Sequence, residues 1–124
     1  MINMNWNEKT VLVTGGNGFL GKNLISQLKE KNAKEIISPT SSECDIRNKK
    51  ACKEIVTDID IVFHLAGRVG GIGYNEKYPG DVFYDNLMMG TNLLHESKES
   101  NVEKFIGLGT VCSYPKFASI PFVE

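Results

Sequence analysis

Apolar residues fall in four short runs, each handing over to polar or helix-periodic sequence. The first, Thr10-Val11-Leu12-Val13-Thr14, is β-branched, apolar on both faces and halts at Gly15-Gly16. A run without alternation fits a strand covered on both sides, as in the middle of a parallel sheet. From Phe19 to Lys31 the period lengthens, and Phe19, Leu20, Leu24, Ile25 and Leu28 share one helical stripe. Glu35-Ile36-Ile37-Ser38 predicts a second strand, closed by the loop Pro39-Thr40-Ser41-Ser42. Asn48 to Val56 predicts a short helix with Asn48 as its N-cap. A third strand spans Asp60 to Ala66 and breaks into the loop Gly67-Arg68-Val69-Gly70-Gly71-Ile72-Gly73. Pro79 opens a long helix to about Ser100, with Val82, Phe83, Asn86, Leu87, Leu93 and Leu94 toward its inner side. Lys104 to Gly109 is the fourth strand, and Phe117 to Glu124 carries no clear element.

Strands alternating with helices imply right-handed crossovers and an α/β fold, a parallel sheet with helices on both faces. The expected architecture is a Rossmann-type sheet, the first half of a doubly wound fold, with strand order 3-2-1-4. Ligands of such sheets bind at the carboxyl ends of the strands.

Composition narrows the picture. The 124 residues suit one domain or part of one, with a formal net charge of −1 that gives no broad pull toward nucleic acid or anionic membrane. No leader-like or membrane-spanning apolar stretch is evident, and a cytoplasmic location is expected. Cys44, Cys52 and Cys112 are too scattered for a disulfide framework or a zinc site.

The chemistry concentrates in Thr14-Gly15-Gly16-Asn17-Gly18-Phe19-Leu20-Gly21, between the first strand and its helix. Gly15 can start a tight turn in backbone angles closed to other residues. Gly18 keeps no side chain between the amides and an anion, and Gly21 lets the helix lie close to the sheet. Bare amides and the positive helix end form a pyrophosphate site. The spacing admits both G-x-x-G-x-x-G and G-x-G-x-x-G, and no Lys-Ser/Thr pair follows to make a Walker loop. The second strand ends without a carboxylate to grip a ribose, so its hydroxyls favour NADP(H) while NAD(H) is also admitted.

Beyond the turn, the chain resembles the extended short-chain dehydrogenase/reductase family of NAD-dependent epimerases and dehydratases. The resemblance is densest in His64-Leu65-Ala66-Gly67-Arg68-Val69-Gly70-Gly71-Ile72, Tyr78-Pro79, Asn86-Leu87-Met88-Met89 and Leu108-Gly109-Thr110-Val111-Cys112-Ser113-Tyr114-Pro115-Lys116. Within the family these segments are most similar to epimerase-reductases that turn GDP-4-keto-6-deoxy-mannose into GDP-L-fucose. The resemblance implies that Gly15, Gly18, Phe19, Leu20 and Gly21 form the pyrophosphate turn. It implies that Asp45 and Ile46 border the adenine, and that Leu65, Ala66 and Gly67 line the cofactor. Asn86 would support the hydrogen-bond network. Thr110 stands where the family has its catalytic serine, and Cys112 would exchange protons in epimerisation.

Plainer readings stand beside these. Asp45 could cap the helix that follows, Asn86 could be a satisfied interior amide, and Cys112 a small hydrophobe. His64 reads as a hydrogen-bonded structural residue rather than a base. Arg68 could touch a phosphate or be a solvated loop side chain. The family's Tyr-x-x-x-Lys pair is absent, since Tyr114-Pro115-Lys116 has the wrong spacing. The chain is therefore expected to be an incomplete Rossmann domain over residues 1–124, inactive alone. Its expected partners are a GDP-sugar and either a second copy or a complementary fragment, and a binding module without chemistry is the alternative.

Overall fold

A computed structural model of the chain describes residues 4–110, 113–115 and 117–121. After a 3-10 turn at Trp6–Glu8 come β1 (Thr10–Thr14), α1 (Phe19–Glu30), β2 (Glu35–Ile37), α2 (Lys49–Ile55) and β3 (Ile61–His64). The remainder is α3 (Ile72–Lys77), α4 (Pro79–Glu99) and β4 (Lys104–Gly107). The expected elements are all present, and α3 replaces part of what reads as loop after the third strand. Its start at Ile72 follows directly on Gly70-Gly71, so the glycines give the entry and the polar sequence Tyr74-Asn75-Glu76-Lys77 the turns. Pro79 occupies the first turn of α4, where its missing N–H costs nothing. Asn48 caps α2, its side-chain oxygen accepting from the amides of Lys50 and Ala51.

All strand pairs are parallel, so the α/β class holds, but the order is β2-β1-β3-β4 and not 3-2-1-4. The third strand does not extend the sheet beyond β2; it crosses back over β1 and pairs on its other side, Val11 beside Ile61 and Thr14 beside His64. Hydrophobicity could not decide between these places, because a run apolar on both faces is at home in either. The crossover decides it. A right-handed connection that reverses direction along the sheet must lay its helix on the opposite face. Accordingly Leu24, Ile25 and Leu28 of α1 pack with Val11, Val13 and Ile61. On the other face Cys52 and Val56, at α2, and Leu93 of α4 pack with Leu12 and Val62. β2, three residues long with Glu35 exposed, is left at the edge.

The inner side of α4 also differs from expectation. Leu93 is buried and Val82 and Asn86 are half-buried, but Phe83, Leu87 and Leu94 are 68%, 46% and 52% exposed. The inward positions are instead Asp85, Met89, Leu93, Glu96 and Ser97. Apolar residues occur on both sides of this helix, and contact with α2 selects which side turns in. Lys49 at the start of α2 reaches Glu96 at 3.5 Å, and the Ser97 hydroxyl donates to the Leu93 carbonyl. On α1, Phe19 and Leu20 likewise stand out in solvent while Leu28 is buried.

Because β1 has β2 on one side and β3 on the other, with their helices on opposite faces, the chain direction reverses at the β1/β3 seam. Loops leaving that seam diverge and open a crevice at the carboxyl ends of the strands.

Candidate functional site

A cleft of about 760 Å³ lies at that reversal. Its floor is the turn that leaves β1. Gly15 holds φ +73, and a β-carbon there would lie 2.7 Å from the Ala66 nitrogen and 2.8 Å from the Leu65 carbonyl carbon. Glycine is required twice over, for the left-handed angle and for the close pass of the turn under the end of β3. The Gly18 amide closes the turn onto the Gly15 carbonyl at 3.0 Å, and Gly18 is the N-cap of α1. The first-turn amides of α1 then have no intrahelical acceptor and carry the positive end of the helix dipole. A side chain at Gly21 would run into the Gly15 carbonyl, so this glycine fits the helix beneath the turn. The arrangement suits a diphosphate.

The seam itself is tied by Thr14 and His64. The Thr14 hydroxyl lies 2.8 Å from His64 Nδ1, and the Leu65 amide donates to the Thr14 carbonyl at 3.2 Å. Burial pushes the His64 imidazole below its usual pKa, in keeping with a structural, hydrogen-bonded residue.

Side chains build the far wall. Arg47 grips Asp45 through Nε and Nη2 at 2.9 and 2.7 Å, and reaches Asp85 of α4 with Nη1 at 3.1 Å. Arg68 donates to the other Asp85 oxygen at 2.6 Å and to the Tyr74 hydroxyl through Nε and Nη2 at 3.0 and 2.6 Å. Asp85, only 7% exposed, thus holds two guanidiniums from two different loops. Those guanidiniums, Arg68 foremost, hold its carboxyl below the usual carboxylate range. Arg47 does the same for Asp45. Two asparagines of α4 fix the arginines' main chain. Asn86 accepts from the Arg68 amide at 2.8 Å and donates to its carbonyl at 2.9 Å, and Asn92 donates to the Arg47 carbonyl at 2.7 Å.

Of the residues singled out from the sequence, Gly15, Gly18, Asp45, Ile46, Leu65, Ala66 and Gly67 line this cleft together. Phe19 and Leu20 do not, and offer only first-turn amides; Gly21 lies behind the turn. Asn86 acts through the Arg68 backbone. Asp45 lines the cleft and leaves the capping of α2 to Asn48. Thr110 follows β4 on the same edge, outside the cleft lining, its carbonyl accepting from the Ser113 amide and hydroxyl at 3.1 and 2.6 Å. Cys112 lies outside the described residues. Cys52, by contrast, is buried, and burial pushes its thiol up to about 12, which makes it an inert packing group.

Sequence reading missed Arg47, Asp85 and Tyr74. Asp45-Ile46-Arg47 offered a local signal, a carboxylate and a guanidinium two residues apart. Asp85 offered a weaker one, an acid within a largely apolar stretch of helix. Nothing local tied either to Arg68.

Comparisons with known proteins point to one family. Residues 11–124 match the model of the NAD dependent epimerase/dehydratase family. GDP-L-colitose synthase of Yersinia pseudotuberculosis is 39% identical over 111 residues, covering 86% of this chain and 35% of that protein. GDP-L-fucose synthase of Escherichia coli K12 is 32% identical over 119 residues, covering 94% and 37%. A solved GDP-L-fucose synthetase of Naegleria fowleri bound to NADP superposes with a TM-score of 0.80 at 29% identity, covering 94% of this chain and 38% of that one. The chain therefore spans little more than a third of the length of these relatives. No helix among the described residues is long and apolar enough to cross a membrane.

Proposed function

The chain belongs to the NAD dependent epimerase/dehydratase family, and from that premise we propose that it is the NADP(H)-binding part of an epimerase-reductase making GDP-L-fucose from GDP-4-keto-6-deoxy-mannose. The observation that carries the reading is the floor of the cleft. Gly15 passes under the end of β3 in a left-handed conformation, so the turn's main chain and the amides of α1 open onto a crevice of about 760 Å³.

In this reading the diphosphate of the cofactor rests on Gly15, Gly18 and the amides of Phe19 and Leu20, with Gly21 seating the helix below. Asp45 and Ile46 border the adenine, and Leu65, Ala66 and Gly67 flank the path toward the nicotinamide. Bound there, the cofactor supplies the hydride for reduction of the 4-ketone. The Thr110 hydroxyl takes the role of hydrogen-bonding that ketone, and Cys112 that of proton exchange beside it. Asn86, by pinning the main chain of Arg68, holds the loop on the β3 side in place.

NADP(H) is favoured over NAD(H) because the end of β2 continues into Thr40, Ser41 and Ser42, neutral donors that line the cleft. The NADP bound to the Naegleria relative supports the same choice. Catalysis needs a phenol and an ammonium at Tyr-x-x-x-Lys spacing, which these 124 residues do not contain. The chain alone is therefore expected to bind cofactor without turnover.

The test has two arms. Calorimetric titration of the chain with NADPH should give saturable binding at one site, and no binding would remove the reading. Turnover of GDP-4-keto-6-deoxy-mannose by a protein in which this chain is joined to the remaining two thirds of a relative should yield GDP-L-fucose. A second reading rests on the Yersinia relative, whose identity of 39% exceeds the 32% of the Escherichia coli protein. It makes the product GDP-L-colitose, which lacks the 3-hydroxyl of GDP-L-fucose and so needs the 3-deoxy ketosugar as substrate; turnover of each ketosugar separates the two readings.

A further inference from the structure

We propose that Glu43 is a specificity-determining residue of the cofactor site, supplying the carboxylate that the end of β2 lacks and holding down its preference for a 2′-phosphorylated dinucleotide. The proposal rests on the dinucleotide reading above.

With a diphosphate on the glycine turn, the adenosine ribose must lie at the end of the second strand. The structure brings these places together, since a side chain on Gly16 would collide with the Ser38 hydroxyl. The strand end, Ser38-Pro39-Thr40-Ser41-Ser42, contains no acid in sequence. The chain then turns back on itself, with the Glu43 and Cys44 amides both donating to the Thr40 carbonyl, at 3.1 and 3.0 Å. That turn returns the Glu43 carboxylate to the strand end. One of its oxygens accepts from the Thr40 amide at 2.7 Å and from the Thr40 hydroxyl at 2.8 Å. The Ser42 hydroxyl lies 2.9 Å from the Thr40 hydroxyl, and because the latter's only proton goes to Glu43, Ser42 donates. Of the donors that would greet a phosphate on this ribose, the Thr40 amide and hydroxyl are thus already committed to a carboxylate, and the Ser42 hydroxyl to Thr40. These bonds also keep the Glu43 carboxyl below the usual range, so it is charged near neutrality.

The cations of the cleft do not offset it. Arg47 is committed to Asp45 and Asp85, and Arg68 to Asp85 and Tyr74. Their two positive charges meet two carboxylates on the same wall, so among the described residues that line the cleft no cation is left for Glu43, whose carboxylate borders the cleft through Thr40. A 2′-phosphate there must either displace Glu43 from the Thr40 donors or sit beside a like charge. A 2′-hydroxyl meets no such obstacle and can donate to a carboxylate. Removing the charge should therefore favour the phosphorylated dinucleotide selectively.

The test is equilibrium titration of the 124-residue chain with NADPH and with NADH, for wild type, Glu43→Gln and Glu43→Ala. Glu43→Gln keeps an acceptor for the Thr40 amide and so preserves the turn, which guards against a misfolded Glu43→Ala. Both variants should raise the affinity ratio for NADPH over NADH by about five- to tenfold, the scale of an exposed charge facing a phosphate. The fragments 2′,5′-ADP and ADP, which carry only the adenosine end, should show the same change. A ratio that stays within twofold of wild type in Glu43→Gln overturns the proposal. Failure of wild type to bind either dinucleotide overturns the underlying reading, and this inference with it.

Discussion

Along the floor of the cleft, from Thr14 to Gly18, the groups offered to a ligand belong to the main chain. Along its wall, at Asp45, Arg47, Arg68 and Asp85, they belong to side chains drawn from three segments. The floor depends on one φ angle and one close approach, both met within a few residues of β1 and at the end of β3. The wall depends on a carboxylate of α4 meeting two guanidiniums 38 and 17 residues away. A site of the first kind is rigid but intolerant, because no rotamer can relieve a backbone clash. A site of the second kind is graded: each bond can be lost singly, and its charge can be titrated. In the proposed reading, the contrast separates where the cofactor would be held from where its acceptance could be adjusted.

The sharpest way to break the comparison is Gly15→Ala. The added methyl meets Ala66 and Leu65 main-chain atoms at under 3 Å and a left-handed φ. We expect a loss of about 2–4 kcal/mol in urea unfolding. NADPH affinity should fall about a hundredfold or more, from about 2.7 kcal/mol of lost binding energy. Wild-type melting and binding would show that the floor is not built as described. Next comes Asn86→Ala, which leaves the part-buried amide and carbonyl of Arg68 without their side-chain partner. This should cost about 1–3 kcal/mol in the same assay, with dinucleotide binding weakened far less than by Gly15→Ala.

Asp85→Asn tests the wall by charge alone. The variant should bind NADPH about three- to tenfold more weakly as Arg47 and Arg68 lose their common anchor. It should also flatten the acid limb of stability. Folded Asp85 and Asp45 titrate below the ordinary 3.8. The stability they add is therefore complete above that range and is lost as pH falls through their lowered folded values. An acid limb identical in wild type and Asp85→Asn would contradict the assignment. The smallest effect is expected at the seam that joins floor and wall. Burial lowers the folded pKa of His64 beneath the usual 6.5. Below about that pH the unfolded chain takes up a proton that the folded chain resists, so stability declines as pH drops through this window. Urea midpoints at pH 7.5 and 5.5 should differ in wild type, and the difference should shrink in His64→Gln.

Much of this protein was legible before any coordinates. Elements governed by local preference, such as β1, α1 with its glycine entry, and α2 with Asn48 at its cap, lie where residue type puts them. Of the cleft lining, Gly15 and Gly18 were legible from the composition of a tight turn, whereas Asp45, Ile46, Leu65, Ala66 and Gly67 were implied by the family resemblance. What escaped was long-range. Strand order is not fixed by hydrophobicity, because β3 is apolar on both faces and suits either side of β1. The inward face of α4 was not legible either, because the helix carries apolar residues on two sides and only its packing against α2 leaves Phe83, Leu87 and Leu94 outside.

The amino-acid sequence by itself determined the alternation of strand and helix, the turn that only glycine can make, and the family to which the chain is similar. These follow from backbone sterics and short-range periodicity, which each residue carries with it. Only the tertiary structure decided that β3 crosses over β1 to open the cleft, that Asp85 binds two arginines, and that Glu43 folds back onto Thr40. Such pairings depend on distances between segments, and those distances are set when crossovers choose a face of the sheet.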